Sequence, residues 1–416
     1  MAEQKTILII ANLDTRGEDF VFVKELIEKK GHRAILLDFS MEKEPAFPGD
    51  ITCEEVAERG GLPIDEVRKY YKGKRKVATD NQINGAVLIT QDLLAKGEID
   101  GVLAVGGGTS LLVASSVMRR LPLGMPKLIA SPMAASARWV DECVGTKDIT
   151  MHNAVVDVIE MNPILRSQVL NAVGAICGMV EMSEGPKISF DTPAVAISSF
   201  GFAEVCIQAA VGFLKDAGFT AVPCHAQGKG DRAMDEMIRQ GMFSGVIDAV
   251  PRGLGEQMFK GNCAGGEDRI LAASESGIPQ VVSTCGLEQL SWAARPDLAK
   301  VLKKRKHIVI DEMRVQIRVF PDELREIARA VAERLNRATA PFKVVIPLKG
   351  WSSLDKEGRP LYDPEGNAAF TEELKKRINR KEAVKEVDLH LYTPEFARIL
   401  VEEFVVIFNE YKKSKS

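Results

Sequence analysis

Short apolar runs alternate with longer segments of helical periodicity along most of the chain. A first apolar run at residues 6–12 is followed by apolar positions with helical spacing at 20–27, and then by a second apolar run at 34–39. Continuous apolar runs of this length are typical of buried parallel strands. The helix between two such strands makes a right-handed βαβ unit. The pattern therefore predicts an α/β fold.

The same alternation continues to the end of the chain. The predicted strands are 6–12, 34–39, 101–105, 126–131, 193–198, 220–224, 342–348 and 384–390. The predicted helices are 53–59, 64–71, 80–96, 111–120, 162–182, 205–217, 232–240, 270–276, 324–335 and 394–411. Residues 144–151 are rich in small and polar side chains and predict a loop, and the tail 412–416 is expected to be disordered.

A polar break at Ser183-Glu184-Gly185-Pro186-Lys187 separates two similar halves. After it, the strand–helix–strand pattern restarts, and residues 241–248 and 277–283 resemble residues 97–103 and 124–131 of the first half. We therefore expect two Rossmann-like domains, residues 1–185 and 186–416, each with a mainly parallel sheet flanked by helices. A cleft between them is the expected place for a ligand.

Composition excludes several classes of protein. The chain has 416 residues, of which 45% are hydrophobic and 27% charged, as in a globular protein, and its net charge of -3 argues against a nucleic-acid partner. No run reaches the roughly 18 apolar residues of a membrane span, and the start carries no secretory pattern. Seven cysteines without a C-x-x-C pair indicate reduced thiols and a cytoplasmic protein, and the five scattered histidines indicate no metal site.

The strand 101–105 ends in a run of three glycines, Gly106, Gly107 and Gly108, followed by Thr109 and Ser110 at the start of a helical pattern. Glycines let the backbone turn sharply and leave room for a ligand, Thr109 or Ser110 could cap the helix, and free N–H groups at a helix start bind anions. This stretch predicts either a phosphate cradle or a tight turn that binds no ligand. It matches neither the Walker A nor the G-x-G-x-x-G pattern.

A second candidate loop, Asp14-Thr15-Arg16-Gly17, follows the first strand at the edge where such sheets bind ligands. Arg16 could pair with a phosphate, and Asp14 could bind a ribose hydroxyl or a metal ion. The alternative is a helix cap formed by Asp14 or Thr15 beside an exposed arginine. Further loops that we expect to line the same crevice contribute Ser131, Met133, Gly145, Thr146, Asp148 and Thr150.

The second half offers weaker candidates. His225, at a strand end, could act as an acid or base or could be a structural histidine. Cys285 lies in a glycine-flanked turn and could be a nucleophile. A second anion site or a set of solvated charges is predicted at Lys229, Arg252 and Arg269. Trp351 could stack on a ring, or it could belong to a packed loop.

The combined motifs resemble those of the Tm-one-like ATP-binding domain family, which includes the N-terminal portion of a tomato mosaic virus resistance protein. The resemblance rests on Asp14-Thr15-Arg16-Gly17-Glu18, Gly106 to Ser110, Val144 to Met151, His225-Ala226 with Gly230 and Ala233-Met234, and Tyr362-Asp363-Pro364. It implies two Rossmann-like subdomains, ATP bound by the first, and homodimers. The chain departs from the family pattern in its shorter glycine loop, in Lys147, where the family usually has Ser, and in Phe202-Ala203-Glu204, where it tends to have Thr-Thr-Pro.

These observations favour an ATP-binding two-domain protein, with Mg²⁺ bridging the phosphates and a small-molecule substrate if the protein is an enzyme. Asp148 and His225 are then the candidates for acid–base work. Two alternatives stay open: a non-enzymatic, nucleotide-responsive interaction module, and an enzyme that acts on a phosphorylated or carboxylated metabolite without nucleotide.

Overall fold

Five parallel strands form the sheet of the first half of the chain. They are β1 (Thr6–Ala11), β2 (Arg33–Asp38), β3 (Gly101–Val105), β4 (Lys127–Ser131) and β5 (Thr150–Asn153). Their order in the sheet is β2-β1-β3-β4-β5. Because β1, β3 and β4 are buried on both faces, each can be almost wholly apolar, which is why these three runs are visible in the sequence.

Seven helices cover the two faces of this sheet. They are α1 (Leu13–Lys29), α2 (Cys53–Gly60), α3 (Ile64–Gly73), α4 (Arg75–Ala95), α5 (Gly108–Met118), α6 (Ala137–Val144) and α7 (Pro163–Met182). The core on one face includes Val56, Ala86 and Val113, and the core on the other includes Phe20 and Val169.

The computed structural model describes residues 3–415 and corrects three predictions for this half. Residues 150–153, expected in a loop, form β5, because Thr150 pairs with Leu128 and Asn153 with Ser131 at the sheet edge. Helix α4 begins at Arg75, five residues before the expected start. Residues 14–17, expected in a loop, belong to helix α1, which begins at Leu13 with only Asn12 between it and β1. Arg16, with φ −140° and ψ 32°, interrupts its helical backbone.

Six further parallel strands form the sheet of the second half. They are β6 (Ala194–Ser199), β7 (Thr220–His225), β8 (Gly245–Asp248), β9 (Gln280–Val282), β13 (Phe342–Pro347) and β14 (Val384–Val387), in the order β14-β13-β9-β8-β6-β7. A small antiparallel sheet in the same half contains β10 (Gln289–Ser291), β11 (His307–Asp311) and β12 (Arg314–Arg318). The sequence pattern did not predict this second, smaller sheet.

The helices of the second half are α8 (Glu204–Asp216), α9 (Lys229–Arg239), α10 (Gly253–Met258), α11 (Leu271–Ser276), α12 (Leu298–Leu302), α13 (Pro321–Asn336), α14 (Pro364–Arg377) and α15 (Pro394–Lys415). Helix α15 packs Phe396, Leu400 and Phe404 into the core of this half. The expected disordered tail is wrong for residues 412–415, which continue α15, and Ser416 lies outside the described residues.

The chain thus forms two compact units, Met1–Ser189 and Phe190–Ser416. Each unit has a parallel sheet flanked by helices, so the predicted α/β fold with two Rossmann-like domains is confirmed. Helix α7 is the one described helix whose length and composition would allow it to cross a membrane. Its buried face, which includes Leu165, Val169 and Ile176, belongs to the core of the first unit, as expected of a packed helix.

Candidate functional site

The strand order of the first sheet defines where a ligand is expected. The chain runs outward from β1 in both directions, to β2 on one side and to β3 on the other, so the sheet reverses its strand order between β1 and β3. In open α/β sheets, ligands bind at the carboxyl ends of the strands at such a switch point. The segments that leave β1 and β3 carry the candidate residues 14–17, in the first turn of α1, and 106–110, at the start of α5, and the structure brings them together.

The glycine run is the start of helix α5. Gly107 is the N-cap, no side chain caps the helix, and the first helical hydrogen bond runs from the Leu111 N–H to the Gly107 carbonyl. The predicted capping by Thr109 or Ser110 is therefore wrong, because both residues lie inside the first turn. The N–H groups of Gly108, Thr109 and Ser110 precede the first helical bond, which is the arrangement that binds anions at helix starts.

The three glycines differ in the space around them. A Cβ at Gly106 would collide with the Ser110 side chain, so this position requires glycine for packing alone. A Cβ at Gly107 would make ordinary contact with Val158, and a Cβ at Gly108 would meet nothing within 4 Å. The space beside Gly108 is therefore open, and a ligand could approach the backbone there.

Asn12, which the sequence analysis did not single out, joins the two loops. Its Nδ2 donates a hydrogen bond to Thr15 Oγ1, and its Oδ1 accepts one from Ser110 Oγ over 3.2 Å. Both neighbours were candidate residues, and a polar side chain directly after a buried strand was the signal that could have identified Asn12 as well. The N-cap of α1 is also Asn12, so the suggested cap by Asp14 or Thr15 is wrong.

Asp14 holds the loop that follows β2. Its Oδ2 accepts hydrogen bonds from the backbone N–H groups of Met41 at 3.2 Å and Glu42 at 2.9 Å, and its own N–H donates to Ser40 Oγ at 2.9 Å. The side chain is buried. Asp14 therefore shapes one wall of the site, and direct binding of a ribose or metal ion by Asp14 stays a prediction.

Arg16 links the first turn of α1 to the end of β3. Its Nη1 donates to the Val105 carbonyl at 3.2 Å, and its Nε and Nη2 bind Asp19 Oδ2 at 3.0 and 2.9 Å. The alternative of an exposed arginine is wrong, because the side chain is buried. Gly17 beside it has no room for a larger residue, since a Cβ would lie 2.8 Å from the Phe47 ring.

A cavity of about 240 Å³ opens beside the switch point. Its wall combines the β1 loop, the β2 loop, the start of α5 and the junction of α3 with α4; the lining residues are Asn12, Asp14, Thr15, Phe39, Ser40, Met41, Glu42, Tyr71, Arg75 and Thr109. This volume is just below the roughly 300–1,000 Å³ of typical ligand pockets. The cavity reaches the first turn of α5 at Thr109, next to the open side of Gly108.

Asp38, the last residue of β2, was not singled out from the sequence and does not line the cavity. Its Oδ1 accepts the N–H groups of Leu13 at 3.1 Å and Ser40 at 3.0 Å, whereas its Oδ2 is buried without a hydrogen-bond partner among the described residues. Burial raises the pKa of this carboxyl group. The side chain is fully buried, so Asp38 holds the end of β2 against the start of α1.

Two other candidates lie at the end of β4, next to β3. Ser131 is fully buried, and its Oγ accepts the Met133 N–H at 3.2 Å, which caps a short 3₁₀ turn. Met133 packs against the core of the first unit. Ser131 and Met133 are on the same sheet edge as the glycine loop, and their contact with a ligand stays a prediction.

The loop before β5 lies at the edge of the sheet opposite to the glycine loop. Gly145 ends α6, Thr146 and Asp148 follow it, and Thr150 begins β5 opposite Leu128, near the amino end of β4. Asp148 Oδ1 pairs with Lys127 Nζ at 2.7 Å, and its Oδ2 accepts the Gly124 N–H at 2.8 Å. The expected convergence of this loop with the glycine loop is therefore wrong: it lies at the amino-terminal edge of the sheet. There Asp148 compensates the charge of buried Lys127, whose pKa is lowered by burial.

In the second unit, two of the three candidate cations, Arg252 and Arg269, are not available to an outside anion, and anion binding by Lys229 stays a prediction. Arg269 is fully buried and binds Asp231 through Nε at 2.8 Å, with Asp248 as a second partner. Arg252 is also fully buried, pairs with Glu256 and stacks 4.2 Å from the centre of the Phe200 ring. Both predictions for these two arginines, an open anion site and solvated charges, are wrong, because both side chains are fully buried and paired with carboxylates.

The remaining candidates of this unit have different positions. His225 is exposed at the end of the edge strand β7, so its acid–base role stays a prediction. Cys285 is fully buried, and burial raises the pKa of its thiol well above the usual value, which argues against a nucleophile. Trp351 is buried too, with its ring edge-on to Phe370 at 5.2 Å and its Nε1 donating to the Pro347 carbonyl, so the packed-loop alternative is correct.

Comparison with known sequences identifies the family. The N-terminal domain of an uncharacterised protein family, UPF0261, matches residues 5–185, and the C-terminal domain of the same family matches residues 192–408. The chain belongs to the UPF0261 family. A UPF0261 protein of Clostridium tetani is 32% identical over 96% of this chain and 98% of its own length.

The predicted resemblance to the tomato protein is confirmed as well. The tomato (Solanum lycopersicum) protein named ToMV resistance protein Tm-1(GCR237) is 30% identical over 86% of this chain, which spans 46% of that longer protein. Among solved structures, a spinosyn rhamnosyltransferase complexed with thymidine diphosphate aligns with 99% of this chain and 100% of its own, at 10% identity and a TM-score of 0.17. A score this low carries no argument about fold or ligand.

Proposed function

We propose that the first unit of this UPF0261 protein binds ATP at the β1/β3 switch point, with a phosphate group at the start of α5. The observation that carries the proposal is the uncapped first turn at Gly108, which is open on its outer side and borders the cavity through Thr109. Unpaired N–H groups and the positive end of the helix dipole both favour a phosphate there.

The nucleoside part of the ligand has its own partner in this proposal. Glu42 lines the cavity and is exposed, so its carboxylate can accept a ribose hydroxyl. Mg²⁺ would enter with the phosphates. The described residues contain no group of three or more His, Cys, Asp or Glu that could hold a metal ion by itself, so phosphate oxygens and water would supply most of its ligands.

The proposed location is the cytoplasm. All seven cysteines are free thiols, and six of them are buried, which suits a reducing compartment. If ATP is consumed, the protein is an enzyme that transfers a phosphoryl or nucleotidyl group to a small molecule. If ATP is bound but not consumed, the protein is a nucleotide-responsive module.

Thermal unfolding of the full chain tests the proposal. ATP, ADP, GTP, NAD, inorganic phosphate and common phosphorylated metabolites are added separately, with and without Mg²⁺. A ligand at 100 times its dissociation constant adds about 2.7 kcal/mol of stability, a shift of several degrees for a chain of this size. Stabilisation by ATP supports the proposal and justifies a hydrolysis assay. Stabilisation by phosphate or a phosphorylated metabolite, without any effect of nucleotides, contradicts it.

A further inference from the structure

The junction of α3 with α4 is strongly basic. Residues 69–76, which we call the basic turn, carry five exposed cationic side chains: Lys69, Lys72, Lys74, Arg75 and Lys76. No acidic residue lies between Glu66 and Asp80 in the sequence. Within this stretch the one ion pair described for these five side chains joins Lys76 to Asp80. The basic turn therefore presents a local excess of positive charge on a protein whose net charge is slightly negative.

Arg75 connects the basic turn to the cavity. Arg75 and Tyr71 line one wall, and Thr109, in the first turn of α5, lines another. The Arg75 Nη2 donates to the Tyr71 hydroxyl at 2.6 Å, and the guanidinium carbon lies 4.4 Å from the centre of the Tyr71 ring. The tyrosine thus holds the guanidinium in place through one nitrogen, and the remaining N–H groups can bind a ligand.

Two carboxylates face this arginine, and neither is paired with it. Asp14 accepts backbone N–H groups of the β2 loop, and Glu42 is exposed with its Oε2 3.3 Å from the Tyr71 hydroxyl. A cavity that presents both signs of charge is well matched to a phosphate chain that carries a divalent cation, because the arginine binds phosphate oxygens while the carboxylate faces the cation.

The amino end of α4 also favours the binding of phosphate. The helix is 21 residues long, begins at Arg75 and has no acidic side chain in its first turn. The cavity is therefore bordered by the amino ends of two helices, α4 and α5, and the arginine lies at one of them. One phosphate at α5 would leave Arg75 free to bind another.

We propose that Arg75 is a second phosphate-binding position of the cavity, so that the first unit selects ligands with two or more linked phosphates over those with one. This inference rests on the proposed function for its first phosphate position at α5. It adds the class of ligand, a di- or triphosphate, and assigns the selection to Arg75, with Tyr71 as a positioning residue.

Isothermal titration calorimetry with the full chain tests this inference. The probes are AMP, ADP, ATP with Mg²⁺, and inorganic tripolyphosphate, each titrated into the wild type, Arg75→Ala and Arg75→Lys. Lys96→Ala is the matched control, since it removes an exposed cation at the opposite end of α4, about 30 Å from Arg75. Circular dichroism of each variant establishes that its fold is retained.

We expect Arg75→Ala to raise the dissociation constants of ATP, ADP and tripolyphosphate by about tenfold and that of AMP by less than about twofold. Arg75→Lys retains part of the affinity, and Lys96→Ala has no effect. Equal weakening of AMP and ATP, or no weakening of either, overturns the role of Arg75 and leaves the proposed function intact. Binding of tripolyphosphate without any nucleotide contradicts the proposed function but not the Arg75 position, and no binding of any probe overturns both.

Discussion

The Ser110 hydroxyl donates a hydrogen bond to Asn12 Oδ1 over 3.2 Å and so joins the first turn of α5 to the end of β1. The two residues are 98 positions apart in the sequence. Because the same asparagine also binds Thr15, one amide group fixes the relative position of the two loops at the switch point. A ligand that touches both loops would find them already arranged.

This link predicts an energetic coupling between the two residues. A double-mutant cycle with Asn12→Ala and Ser110→Ala should give a coupling of about 1 kcal/mol in the free energy of unfolding, measured by urea denaturation. Ser116→Ala is the control, because its hydroxyl bonds only within α5 and should be additive with Asn12→Ala. Additivity of the Asn12 and Ser110 substitutions would contradict the link.

The hydrogen bonds of Asp14 to the loop after β2 predict a loss of stability when its charge is removed. Asp14→Asn replaces a charged acceptor of two backbone N–H groups, so we expect a loss of about 1–3 kcal/mol in the free energy of unfolding and faster hydrogen exchange of the Met41 and Glu42 amides. Asp65→Asn, an almost fully exposed carboxylate, should change neither. Unchanged exchange at Met41 and Glu42 would show that Asp14 does not hold this loop.

The second unit should lose stability as the pH rises. Burial, assisted by the nearby Asp355 charge, raises the pKa of Glu288 to about 7, and burial raises that of Asp235 to about 7. Both folded-state values lie above those of unfolded carboxyl groups, so the folded unit retains protons that the unfolded chain releases. Between about pH 5 and pH 7 each group should therefore lower the free energy of unfolding by about 1 kcal/mol per pH unit.

Tryptophan fluorescence can follow this unit by itself. Trp139 is the tryptophan of the first unit, so in a Trp139→Phe background the signal comes from Trp292 and Trp351. Glu288→Gln should remove part of the pH dependence of the urea midpoint, because Asp231, Asp235 and Glu256 also have raised pKa values, and exposed Glu312→Gln should remove none. If the urea midpoint of Glu288→Gln depends on pH as steeply as that of the Trp139→Phe parent, Glu288 is not protonated in the folded unit.

Substitution of Trp351 should lower the stability of the protein and leave its affinity for ATP unchanged. Its ring is buried against Phe370, so Trp351→Ala should cost about 3–5 kcal/mol, measured with the same denaturant. Trp351→Phe keeps most of the packing and should cost less, with ATP affinity unchanged. A specific loss of affinity in Trp351→Phe would restore the ring-stacking alternative.

The sequence pattern was most informative for segments that are so deeply buried that their own residues have to be apolar. Strand β3 and the glycines after it were predicted in place, because a fully buried parallel strand has to be apolar along its whole length. β5 was missed, because Thr150 to Asn153 are polar or half-exposed and become a strand only by pairing with β4. Sequence also could not reveal that Arg269 is buried, since its partners Asp231 and Asp248 lie 38 and 21 residues away.

The candidate site also combines features that the local sequence predicts with features that depend on tertiary packing. The two loops at the switch point were predicted, whereas Tyr71 and Arg75 were not, because they reach the cavity from a helical excursion whose packing is tertiary. The loop at 145–150 was assigned to the wrong edge, because its polar composition resembles a ligand loop and only the register of β5 places it.

The most direct test of the account is calorimetric titration of ATP with Mg²⁺ into Gly108→Asp and Gly108→Ala. Neither side chain meets an atom within 4 Å through its Cβ, so both variants should fold, but only aspartate places a negative charge where the phosphate would lie. We predict that Gly108→Ala binds ATP within about fivefold of the wild-type affinity and that Gly108→Asp does not bind it. Wild-type affinity in Gly108→Asp would contradict a phosphate site at the start of α5.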